Sequence, residues 1–85
     1  MSAEKPVYLT KEGLDKLKED LQFMKTKDRA RIADAIAEAR SQGDLSENAE
    51  YDAAKEEQGM LEARIARAEH VVASARVVDE SQVDS

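Results

Sequence analysis

The chain has 85 residues, a formal net charge of −6, 38% charged side chains and 4% aromatics, so it makes at most one small domain with a narrow apolar seam. With no cysteine it has no disulfides or thiolate chemistry, and no apolar run approaches the roughly 20 residues that cross a bilayer. The N-terminus Met1-Ser2-Ala3-Glu4-Lys5-Pro6 lacks the apolar stretch of a secretory signal, which makes the cytoplasm the expected compartment, and the acidic balance excludes generic binding to nucleic acid, which needs a basic surface to displace counterions.

A short extended lead, Val7-Tyr8-Leu9, runs into Thr10, whose hydroxyl suits the free amides of a helix starting at Lys11. Leu14, Leu17, Leu21 and Met24 then recur at spacings of three and four, which places them on one helix face as a coiled-coil seam. Asp28 falls on the next seam position and the pattern resumes at Ile32, Ala35, Ile36 and Ala39. Two successive four-residue steps are a stutter, and the helix is expected to continue through it with loosened packing. Ser41-Gln42-Gly43 ends the pattern, with Gly43 suited to a left-handed cap and Ser46 or Asp44 available to cap a second helix. That helix carries Tyr51, Ala54, Gln58, Leu61, Ile65, Ala68, Val72 and Ala75.

Antiparallel pairing sets Ile36 against Ala54, Ile32 against Gln58, Met24 against Ile65, Leu21 against Ala68, Leu17 against Val72 and Leu14 against Ala75. This register puts the fold-back at Asp44-Leu45, where the turn chemistry also puts it. The expected fold is therefore all-α, a long antiparallel helical hairpin or two-helix coiled coil. A lead over 1–9 precedes the hairpin at 10–76, whose tip is 43–47, and 77–85 reads as a linker to an absent C-terminal domain.

The tip concentrates acid. Asp44, Glu47, Glu50, Asp52, Glu56 and Glu57 face one base, Lys55. Acids in the first turn of a helix complement its dipole, worth about 0.3–1 kcal/mol each, and that suffices for Glu50, Asp52, Glu56 and Glu57. Asp44 and Glu47 instead occupy the apex, where desolvation requires another molecule; by position alone, a structural and a functional role stay open. Oxygen ligands of this kind suit magnesium, which commonly takes one or two carboxylates plus water or phosphate. A calcium loop is excluded, since Ala49 and Lys55 stand where an EF-hand needs glycine and a bidentate glutamate. Hydrolysis by the chain itself finds no support, with a lone His70 on the second helix and no serine beside a base. Tyr51 is expected to cover the apical end of the seam and fix the loop. Arg40 and Lys55 flank the apex, positioned either for phosphates or as ordinary surface charges. Lys16, Lys18, Lys25, Lys27, Arg29 and Arg31 make the stem basic.

The string Gly43-Asp44-Leu45-Ser46-Glu47-Asn48-Ala49-Glu50-Tyr51, followed by Ala53-Ala54-Lys55-Glu56-Glu57-Gln58, closely resembles the signature of the bacterial transcript cleavage factors of the Gre family. Leu9-Thr10 with Gly13 and Leu17, Ile36-Ala37-Glu38-Ala39-Arg40, and Ala75-Arg76-Val77-Val78-Asp79 extend the resemblance over nearly the whole chain. It implies the N-terminal hairpin of an elongation factor whose globular C-terminal domain docks at the rim of RNA polymerase's secondary channel. The hairpin would enter that channel and stimulate cleavage of backtracked RNA by the polymerase, with no enzymatic activity of its own.

By the same resemblance, Asp44 and Glu47 match the two functional carboxylates lent to the polymerase active site. There they would share its second Mg2+ and the attacking water; the chain would carry no cofactor of its own. Arg40 and Lys55 match positions linked to the extruded RNA 3′ segment, although lysine lacks the planar fork of arginine. Asn48 and Tyr51 would support the tip. The alternatives are a channel-occupying inhibitor of the same shape and a plain coiled-coil adaptor; neither membrane nor small-molecule substrate is expected.

Overall fold

The structure is a computed structural model that describes residues 5–43 and 48–79. Strand β1 (Val7–Leu9) leads into α1 (Lys11–Phe23), a π-helical turn at Met24–Asp28, and α2 (Arg29–Arg40). After the tip come α3 (Ala49–Ser74) and β2 (Ala75–Val77). The two arms form the expected hairpin, with extents of 59 × 29 × 20 Å.

Thr10 starts α1 as its residue type predicts, its hydroxyl accepting from the Gly13 amide at 3.0 Å. From there the first arm is continuous to Arg40 because the π turn absorbs the stutter. The Arg29 amide donates to the Met24 carbonyl, five residues back, as well as to Thr26. At the entry to the turn the Thr26 hydroxyl donates to the Gln22 carbonyl at 2.8 Å. One extra residue is thereby accommodated locally. Leu21 before the turn, Met24 at its first position and Ile32 beyond it all join the same apolar cluster. Asp28 keeps 28% side-chain exposure, 4.0 Å from the Arg31 guanidinium, so its carboxylate remains hydrated at the edge of the seam.

The core is a single cluster of Ile32, Ile36, Ala54, Leu61 and Ile65, flanked by half-buried Leu21, Met24 and Tyr51. Ala39 and Ala68 are also buried, and within the cluster the isoleucines of the first arm pack with Ala54 of the second. Ala35 departs from expectation: it is exposed, and the buried face of α2 is Ile32, Ile36 and Ala39. Leu14 and Leu17 are only half-buried.

Among the described residues, ion pairs tie the arms. Arg29 holds Glu62 in a two-pronged pair at 2.9 and 2.8 Å, Arg31 meets Glu57 at 3.0 Å, and Lys25 meets Glu69 at 3.1 Å. The hydrogen bond from Arg29 holds the Glu62 carboxyl below its ordinary range. Much of the basic stem is thus committed to holding the second arm, and Lys16 pairs with Asp20 within α1.

At the base the extended lead Val7–Leu9 is a strand, as expected, and what differs is its partner. Helix α3 ends at Ser74, so Ala75 is a strand residue and does not belong to the helical seam. β1 and β2 pair in parallel, with Val7, Tyr8 and Leu9 opposite Ala75, Arg76 and Val77. The Val78 amide also donates to the Leu9 carbonyl at 2.8 Å. Residues that read from sequence as the start of an unpartnered tail are therefore paired with the lead. Parallel strands need a long crossover, and here the whole hairpin supplies it.

Candidate functional site

The far end of the hairpin is built by the termination of α2 and the start of α3. Gly43 takes φ +103°, a left-handed conformation that a side chain would strain, and its amide reaches the Arg40 carbonyl at 3.2 Å. Ser41 and Gln42 amides return to Ala37 and Ala39 at 3.1 and 3.2 Å, closing the last turn. Asp44 and Glu47, the acids that the sequence singles out, lie outside the described residues, as does Ser46.

Helix α3 is capped by Asn48, not by either of the residues favoured from sequence. Its side-chain oxygen accepts from the Tyr51 amide at 3.0 Å, and its backbone carbonyl takes the Asp52 amide at 3.1 Å. The same side chain then donates from Nδ2 to the Ala39 carbonyl of α2 at 2.6 Å. Asn48 is 9% exposed, the buried polar residue of the described chain. Ionisation plays no part in these bonds, since an amide offers donor and acceptor together.

A second tie crosses the tip. The Arg40 guanidinium sits 5.9 Å from the centre of the Tyr51 ring, within range of a cation–π contact. Tyr51 also packs against the core cluster, as expected from its position. Arg40, Asn48 and Tyr51 are therefore brought together. Lys55, one helical turn beyond Tyr51, instead donates to Gln58 at 3.0 Å and is exposed. Glu50 and Asp52 lie in the first turn of α3, where carboxylates complement the dipole, and Glu57 is engaged by Arg31. Among the described residues no group of three or more acidic, histidine or cysteine side chains is arranged to hold a metal ion.

The profile of a family described as "Transcription elongation factor, N-terminal" (GreA_GreB_N) matches residues 7–77, which is most of the chain and nearly the whole described architecture. The chain belongs to this Gre family. Among its relatives, transcription elongation factor GreA of Christiangramia forsetii is 59% identical over 78 residues, covering 92% of this chain and 49% of the relative. GreA of Flavobacterium johnsoniae is 58% identical over 77 residues, covering 91% and 49%, and GreA of Ralstonia nicotianae is 54% identical over 79 residues, covering 93% and 50%. The chain spans about half the length of these Gre relatives. The Gre match begins at β1 and ends at β2, so the parallel pair at the base lies inside the family region.

Neither the pairing of the two short strands nor the bridging role of Asn48 is legible in the sequence. Three-residue strands carry too little periodicity to register. The asparagine was visible as a cap type, but nothing local distinguishes it from the aspartate and serine just before it.

Proposed function

We propose that the chain is the polymerase-entering arm of a bacterial transcription elongation factor, stimulating endonucleolytic cleavage of backtracked nascent RNA by RNA polymerase. The observation that carries this is a braced hairpin in a chain 59 Å long, with α2 ending at Arg40 and α3 starting at Ala49, so that Asp44 and Glu47 lie in sequence between the two helix ends. Family membership agrees with it.

In this reading the hairpin inserts through the secondary channel and the chemistry belongs to the polymerase. Two carboxylates suit a shared Mg2+, which takes one or two such ligands and fills the rest of its shell with water or phosphate. Such an ion, held between the polymerase and these carboxylates, would supply stabilisation of the charge that develops at the reacting oxygens. Asp44 and Glu47 contribute charge and acceptor oxygens, one of them orienting or deprotonating the water. Arg40 and Lys55 attract the phosphates of the displaced RNA 3′ segment. The chain acts as a ligand donor rather than an enzyme, and works in the cytoplasm with the polymerase.

The test adds the chain to stalled, backtracked elongation complexes of bacterial polymerase and sizes the RNA released. Short 3′ fragments are expected, and Asp44→Ala with Glu47→Ala is expected to abolish them while circular dichroism and polymerase binding stay unchanged. Undiminished cleavage by that double variant, or no stimulation by the parent chain, would refute the proposal.

A further inference from the structure

We infer that Asn48 is the positioning residue of the tip, a single amide that locks the end of one arm to the start of the other and so fixes the two points from which the acid-bearing segment departs. Helix ends leave unsatisfied groups of opposite kind, carbonyls at the C-terminus and amides at the N-terminus. Ala39 offers the first and Tyr51 the second, and Asn48 serves both at 2.6 and 3.0 Å. Its burial to 9% keeps water from competing for either bond.

The choice of residue follows from donor and acceptor inventory. Aspartate caps a helix as well as asparagine does, but an ionised carboxylate has no hydrogen to give the Ala39 carbonyl. A serine hydroxyl caps too, on a shorter stem with a single donor. Capping alone would therefore be met by any of the three, whereas the bridge uses the amide. Arg40 and Tyr51 reinforce the same closure from the outside, at 5.9 Å.

Asn48 acts through Asp44 and Glu47, so its effect on cleavage rests on the function proposed above. Metal ligands must be held within fractions of an ångström, and a displacement of about 1 Å can cost roughly a hundredfold in rate.

The discriminating variant is Asn48→Asp, which keeps the cap and removes the bridge, compared with Asn48→Ala, which removes both. In the free chain, nitrogen-15 relaxation is expected to show the Tyr51 amide unchanged in Asn48→Asp while order falls in the last turn of the first arm, from Ala39 to Gly43; unchanged order in that turn would overturn the inference irrespective of any polymerase result. With backtracked complexes, Asn48→Asp is expected to lower the maximal cleavage rate about ten- to a hundredfold. The concentration of chain giving half-maximal effect should stay the same, and the Mg2+ requirement should rise. Equal maximal rates for parent and Asn48→Asp would likewise overturn it. Failure of the parent chain to stimulate would remove the functional reading, and the relaxation measurement would still decide the clamp.

Discussion

At Glu62 two opposing effects meet, and the guanidinium wins. Removal from water would raise its carboxyl, but the two-pronged bond from Arg29 outweighs that and lowers it. A carboxyl lowered on folding stabilises the hairpin above its unfolded value, and that stabilisation is lost as pH falls through the lowered one. Glu62→Gln should therefore melt below the parent at pH 7, and the gap should close as pH is brought beneath the ordinary carboxylate range. The pair is exposed, so added salt should narrow the gap as well; thermal melts across pH and salt read both. A gap that persists undiminished at acid pH would assign the effect to packing. The residue scale also shows where reading a sequence stops. The seam positions Ile32, Ile36, Ala54, Leu61 and Ile65 are legible because burial follows a simple period. The cap is not, because Asp44, Ser46 and Asn48 are equivalent to a local rule and what separates them is a carbonyl nine positions back, across the turn.

Among the elements, the π turn is the one whose existence was half visible. Two four-residue steps through Asp28 announce one residue too many for an even helix, but periodicity cannot say whether the excess is spread along the supercoil or taken up at one place. The structure takes it up at Met24–Asp28, so the seams on either side stay in phase. Deleting Lys27 should consequently leave an unbroken α-helix with both halves of the seam aligned, shifting stability by no more than about 1 kcal/mol. Inserting one alanine after Thr26 should instead turn Leu14, Leu17 and Leu21 by roughly 100° away from α3 and cost several kcal/mol of burial. Urea unfolding of the two variants measures this; equal losses would mean that the turn has a role other than absorbing phase. The pairing of the strands at the base is the least legible feature: Val7–Leu9 reads as extended and is so, but its partner is not visible locally. Each is three residues long and their partners are separated by the entire hairpin, so neither propensity nor local spacing points from one to the other.

On the scale of the whole molecule, reach is the property on which the proposed function turns. Removing residues 14–20 from the first arm and 66–72 from the second takes seven positions from each, preserves the seam, and shortens the rod by about 10 Å at 1.5 Å per residue. Such a chain should remain helical and cooperative yet lose stimulated RNA cleavage. Cleavage at the parental rate would show that the active groups do not depend on the rod's full length. The long axis itself could be anticipated, since helix length follows from residue count and the fold-back from turn chemistry.

Joined covalently through residues 44–47 at one end and stitched by the β1–β2 ladder at the other, the two arms make a closed frame. Sliding one arm past the other by a single residue would require breaking Val78 from Leu9 or uncoupling Asn48 from Ala39. A push delivered at the foot is thus passed to the summit as straight thrust, with shear between the arms blocked at both extremities.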